Sequence, residues 1–242
     1  MDRFEVTPSS AFQPVAASAE KVTAFLRSVY GWMFVGLGIS AAVAVGVANS
    51  DFAEVIRRTP GLYWGLWIAP FVLALVLQFR VERLRPNTAA GLFIVYAALM
   101  GAWLSAVFSY YNGPSIAVAF VVTAGAFGAM ALFGTTTKRS LAGAGHFFYM
   151  GFIGVFFALL MSAFIRSAAE NAALQFVISV VGVIVFTGLT AWKAQELKQL
   201  ALALPEGQAT GTYAVVGALQ LYITFLNLFL MLLRLLGGGR RN

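Results

Sequence analysis

Residues 215–236 read VVGALQLYITFLNLFLMLLRLL, 22 residues with no charge before Arg234. An uncharged apolar run of 18 or more residues reads as a membrane-spanning helix. The run is not uniformly apolar. Gln220, Thr224 and Asn227 recur at i, i+4 and i+7, which puts them on one helical face. In lipid such a face turns toward protein or water rather than acyl chains.

The rest of the chain has the same character. Of its 242 residues 60% are apolar and only 10% charged, and its mean hydropathy is +0.84. A soluble domain carries about 25% charged residues, so the deficit points to lipid as solvent. The formal charge of +7 does not indicate nucleic acid, because the basic residues sit in short loops between apolar runs, as topology selection leaves them. The absence of cysteine removes disulfides, thiolate metal sites and Cys nucleophiles together. His146 is the one histidine, too few for a histidine metal cluster or a Ser/His relay. Residues 1–21 carry acids, Pro and Ser but no early apolar core. They read as a flexible polar tail and not as a signal peptide.

Seven apolar runs follow, over about residues 28–48, 62–79, 89–109, 115–133, 147–164, 173–192 and 213–236, each long enough to cross roughly 30 Å of hydrocarbon as a helix. Helices satisfy every backbone amide internally, and no alternating ten-residue pattern of a β-barrel is present. The segments TPG at 59–61, RPN at 85–87, NGP at 112–114 and PEG at 205–207 are turn chemistry. The expected fold is an all-α membrane protein of seven transmembrane helices: a polar tail over 1–24, a helical domain over 25–236 and a short basic tail over 237–242. Trp64, Tyr110, Tyr111 and Trp192 lie near run ends, as in an interfacial belt. Gly36, Gly38, Gly125, Gly128, Gly151 and Gly154 fall inside apolar runs and are expected to serve close helix packing.

Ten of the Lys and Arg residues fall on the N-terminal side of these spans and six on the other, which orients the N-terminus toward the cytoplasm. Seven spans put Arg240 and Arg241 outside, against that bias; a re-entrant last segment is the alternative.

Three motifs add a resemblance. GLTAWKAQ at 188–195 looks like the GLTAYDTQ motif of the Bax inhibitor-1 family. ALQLYITFLNLF at 218–229 resembles that family's ALxLYLDFINLF signature, and FGTTTKRSL at 133–141 is similar to its YGxTTKRDLS loop. The resemblance runs in register over about residues 25–236. It implies six helices sandwiching a central seventh, and membership in a group of passive, pH-gated calcium-leak proteins and stress-linked membrane regulators.

The departure is as informative as the match. The family pairs an aspartate in YDTQ with one in LYLDF. Two such carboxylates share a proton and sense pH, and ionised they offer oxygen ligands to Ca²⁺. The matching positions here are Lys193 and Thr224. A positive charge about 7 Å from a divalent cation, at an effective dielectric near 20, repels it by roughly 5 kcal/mol. Either Lys193 points away from the path, or this chain does not pass Ca²⁺ by the family route. Thr224 and Lys193 also differ in apparent depth. They meet only if the last helix begins outside the hydrocarbon or the sixth extends past Trp192.

Each candidate residue has two readings. Lys193 is either an interfacial lysine paired with Glu196 at i+3 or a tethered cation filling the old ion site. Gln220, Thr224 and Asn227 are either interhelical hydrogen-bonding groups or the lining of a narrow polar path, while Tyr222 lies off that stripe and reads as packing. Glu196 is the acid nearest the pore mouth; Glu54, Glu82 and Glu170 read as solvated. Arg80, Arg83 and Arg85 read as topology anchors, and His146 as an interfacial polar group. No nucleophile elbow, P-loop, dinucleotide fingerprint or HExxH is present, so an enzyme is not expected.

The sequence therefore points to a multi-pass protein of a bacterial-type inner membrane, with the lipid bilayer as its partner and no nucleic acid or cofactor. The first reading is a transport class, either a leak channel with ions as candidate passengers or a closed, divergent relative that does not conduct calcium. The alternative is a regulator that binds other membrane proteins, such as a membrane-bound AAA protease, through its N-terminal tail.

Overall fold

The computed structural model describes residues 13–165, 167, 170–204 and 210–237. The described residues form helices and no strands: α1 (Gln13–Ala48), α2 (Phe52–Arg58), α3 (Pro60–Phe79), α4 (Pro86–Tyr110), α5 (Gly113–Thr136), α6 (Ala142–Phe164), α7 (Ala172–Ala203) and α8 (Thr210–Leu236). Seven of them are long, as expected, and α2 is a short extra turn between the first two. Six are long and apolar enough to cross a membrane, and α3 carries a shorter apolar stretch, Trp64–Phe79.

The local chemistry explains several boundaries. Asn112 accepts the Ser115 N–H at 2.8 Å and Asn171 accepts the Leu174 N–H at 3.0 Å, each satisfying an orphan amide at the start of α5 or α7. At the other ends, Lys198 Nζ donates to Thr135 O at 2.6 Å, and Lys21 Nζ donates to Leu204 O. A cation on the last carbonyls of a helix complements its dipole, so these two lysines do more than orient the chain.

Two helix ends fall well away from where hydropathy alone puts them. α1 starts at Gln13 rather than near residue 28, and α7 runs to Ala203 rather than to Trp192, while α8 starts at Thr210, three residues before the start of its apolar run. Residues 193–203 (KAQELKQLALA) are amphipathic rather than apolar. Backbone hydrogen bonding carries the helix on past the point where the apolar run ends. The PEG turn at 205–207, Arg166 and the tails at 1–12 and 238–242 lie outside the described residues.

α8 is the central element. Its apolar window is 78% buried, against 11–39% for the other five spans. It packs against α7, α1, α5, α4 and α3, while α6 packs on α7. Tyr222, Phe93, Leu219 and Leu228 are fully enclosed around it.

Two contacts bring backbones together. A Cβ added at Gly101 would lie 2.6 Å from Ser40 O, and one at Gly134 would lie 2.1 Å from Ala191 O, so α4 meets α1 and α5 meets α7 without room for a side chain. Of the glycines expected to pack, Gly36 and Gly151 do, against Phe93 and Val185. The expectation is wrong for Gly38, Gly125, Gly128 and Gly154, which face open space with nothing within 4 Å. Helices apolar on all sides give no periodic signal of which face is inward.

Candidate functional site

The α7–α8 seam collects the residues singled out from the sequence. Two close contacts fix its register: Gly182 lies against Met231, and Gly217 against Leu197. At about 100° per residue, Lys193 falls on the same face of α7 as Gly182 and Leu197, to within about 40°. Thr224 is seven positions from both Gly217 and Met231, so it occupies the facing side of α8. Interpolating between the contacts sets Lys193 about level with Leu221, and Thr224 about level with Thr190. The two are separated along the axis by about one turn, roughly 5 Å. The difference in depth read from the apolar runs disappears because α7 continues past Trp192 and α8 begins before Tyr213.

Lys193 does not sit at the end of its helix. Its Nζ lies 2.7 Å from Glu196 Oε2 and 4.5 Å from the centroid of the Trp192 ring. The Lys193 side chain is 18% exposed and that of Glu196 48%. The ammonium is thus held between a carboxylate and an aromatic face, both attractive to a cation.

Along α8, Thr224 Oγ1 donates to Gln220 O at 2.8 Å and Asn227 Nδ2 donates to Ile223 O at 2.8 Å. The expectation of interhelical bonds does not hold for these two groups, which bond back to their own helix. On the other side, Thr190 Oγ1 donates to Phe186 O at 2.8 Å. Among the described residues no buried side-chain polar atom lacks a partner. Thr224, Asn227 and Thr190 thus each satisfy their donor within their own helix.

Trp192 forms the seam's outer flank. It packs against the backbone of Gly145, and its ring lies 6.2 Å from that of His146. His146 is exposed at the start of α6 and its Nδ1 lies 2.7 Å from Ala142 O. Arg80, Arg83 and Arg85 are exposed on the α3–α4 connection, whose Leu84 O accepts from Thr212 Oγ1 at the start of α8 at 3.2 Å.

Two residues carry more than the sequence assigned to them. Gln195 is 7% exposed. Its Oε1 accepts the Leu141 N–H at 2.8 Å and its Nε2 donates to Arg139 O at 2.9 Å. The amide thereby clasps the α5–α6 loop, joining the motif at 188–195 to the motif at 133–141. Tyr222 is packing, as read, but also a polar junction. Its hydroxyl lies 2.6 Å from Ser40 Oγ, which lies 2.7 Å from Ala97 O and 2.9 Å from Gly36 O. Ser40 has one proton and spends it on a carbonyl, so Tyr222 is the donor. Phe93 and Tyr96 stand edge-on to the Tyr222 ring, with centroids 5.8 and 5.7 Å away. Position within the ALQLYITF motif was the only available signal for this junction of α1, α4 and α8.

Among the described residues no group of His, Cys, Asp or Glu is placed to hold a metal ion.

Comparison with known proteins gives a consistent result. The family described as inhibitor of apoptosis-promoting Bax1 matches residues 22–242. Inner membrane protein YbhL of Escherichia coli strain K12 is 41% identical over 243 residues, covering 99% of this chain and 100% of that protein. A Caulobacter vibrioides protein is 39% identical over 226 residues, 89% of each chain. A Borreliella burgdorferi protein is 37% identical over 220 residues, 90% of this chain and 93% of its own.

Proposed function

The chain belongs to the Bax inhibitor-1 family, and we propose that it is a multi-pass inner-membrane member that does not conduct calcium by the paired-carboxylate route. The observation that carries this reading is the placement of Lys193 on the α8-facing side of α7, tied to Glu196 at 2.7 Å. A family relative of the leak type needs two carboxylates at this level of the seam. This chain has an ammonium and a hydroxyl there. Glu196 offers its carboxylate to that ammonium, so it is not available as a ligand. The roughly 5 kcal/mol repulsion expected of a charge about 7 Å from a divalent ion is reduced by the ion pair but does not become an attraction.

The reading assigns the seam a structural role in the closed state, with Gln220, Thr224 and Asn227 as its polar lining and no catalytic group. The N-terminal end of α1 lies on the side of the bundle with more basic residues, which supports a cytoplasmic N-terminus. Calcium flux into dye-loaded proteoliposomes of the unmodified protein, at pH 6 and pH 8, tests the reading. Flux no greater than in protein-free liposomes at both values is expected. Acid- or base-dependent calcium entry well above that level contradicts it.

The length of α1 favours a second reading. Its 36 residues span about 54 Å at 1.5 Å per residue, far beyond the hydrocarbon thickness of about 30 Å. The surplus forms a helical handle on the N-terminal side, docked through Lys21 on Leu204. Such a handle suits a regulator that grips another membrane protein, a membrane-bound AAA protease being one candidate. Deleting residues 1–21, which removes the start of α1 with Lys21, separates the readings: partner capture is lost if the handle is the contact, whereas the calcium barrier is unchanged.

A further inference from the structure

At the bundle end opposite Lys21, the seam closes on a second cation. Arg234 is exposed in the last turn of α8. Its Nη1 lies 3.4 Å from Gln175 Oε1 on α7, a long bond that leaves most of a guanidinium's five donors unused. Among the described residues it has no carboxylate partner. Three residues further on, the Tyr111 ring lies against Gly237. Tyrosine is enriched at the headgroup level of a bilayer, which sets Arg234 about one turn, roughly 5 Å, from that level. Leu174 and Phe176, on either side of Gln175, are 39% and 61% exposed.

An unpaired charge so close to hydrocarbon is costly unless something compensates it. Among the described residues Arg234 meets an amide oxygen and no carboxylate. The occupant must bring a negative charge with at least two oxygens in reach of a planar fork, and it must tolerate the apolar side chains beside it. A phosphodiester carrying acyl chains meets both requirements. We propose that Arg234 and Gln175 seat the headgroup of an anionic phospholipid, with its chains lying along Leu174 and Phe176. A zwitterionic lipid fits less well, because its own cation approaches an uncompensated guanidinium. This assignment is independent of whether the seam conducts any ion.

Native mass spectrometry of the full chain in detergent, titrated with phosphatidylglycerol, phosphatidylcholine or inorganic phosphate, tests it. The parent is expected to retain phosphatidylglycerol at a concentration on the order of tenfold below that needed for phosphatidylcholine, whose phosphate reaches the same fork but whose choline cation opposes it. Arg234→Gln should lose that preference, and Arg80→Gln, which removes a charge from the α3–α4 connection, should keep it. Should Arg234→Gln fail to fold, Gln175→Leu provides the second reading, with a reduced preference expected. Equal retention of phosphatidylglycerol by the folded Arg234 or Gln175 variant and the parent overturns the proposal. So does an inorganic phosphate adduct as strong as the lipid's, which would mark a free-anion site.

Discussion

Lys193 Nζ and Glu196 Oε2 are 2.7 Å apart, on a stretch of α7 whose neighbours at Gly182 and Leu197 touch the central helix. The pair spans the boundary between the closed seam and the exposed edge of the bundle, with Lys193 on the inner side and Glu196 on the outer. A surface role and a seam role are therefore not exclusive for this lysine. Its backbone belongs to the seam while its charge is satisfied at the edge.

Glu196→Gln should cost less than about 1 kcal/mol of stability, because the carboxylate is half exposed and such pairs contribute little. It should leave calcium flux at the parent's level, since removing the acid uncovers the ammonium. Denaturant unfolding in detergent and dye-loaded liposomes measure the two effects.

Tyr222→Phe should cost about 1 kcal/mol, the net worth of one buried hydrogen bond. Ser40 retains its carbonyl acceptors, so no donor is stranded. Tyr222→Ala should cost about 3–5 kcal/mol, because it also empties a fully enclosed ring site. Urea or guanidinium midpoints in detergent compare the two, and equal losses would show that the ring packing contributes nothing.

Gly134→Ala should be strongly disruptive, since its Cβ would lie 2.1 Å from a backbone oxygen that cannot step aside. A penalty beyond the usual overpacking range of about 1–3 kcal/mol is expected. Gly125→Ala, with nothing within 4 Å, should be neutral or stabilising by up to about 1 kcal/mol through helix propensity. Yield of monodisperse protein and its melting temperature distinguish them.

Gln195→Leu should release the α5–α6 loop, leaving the Leu141 N–H and Arg139 C=O without their partner at a cost of about 1–3 kcal/mol. Limited trypsin digestion should then cut faster after Lys138 or Arg139. Gln195→Glu keeps the acceptor for Leu141 and loses the donor to Arg139, so its cleavage rate should fall between those of Leu and the parent.

The helices were legible from hydropathy because lipid demands an apolar run for each crossing. Their ends were not. The amphipathic extension of α7 past Trp192 satisfies its backbone like any helix, but it breaks the apolar criterion at Lys193. That displacement hid the proximity of Lys193 and Thr224. Faces were also illegible: Gly151 and Gly154 lie one turn apart in the same apolar run, yet only the first meets a neighbour. The Gln195 clasp joins positions 54 residues apart, and no local pattern announces it. The motifs marked the right segments without showing that two of them touch. Conversely, the Lys193–Glu196 pair was readable, since i and i+3 of opposite charge on a helix are neighbours by geometry.

The central claim is that a cation on the α7 seam stands where a calcium path needs acids. Lys193→Asp combined with Thr224→Asp restores both carboxylates about one turn apart, and calcium entry into dye-loaded proteoliposomes measures the consequence. The account predicts entry clearly above that of the unmodified protein and of either single variant. A folded double variant that admits no more calcium than the parent would contradict it.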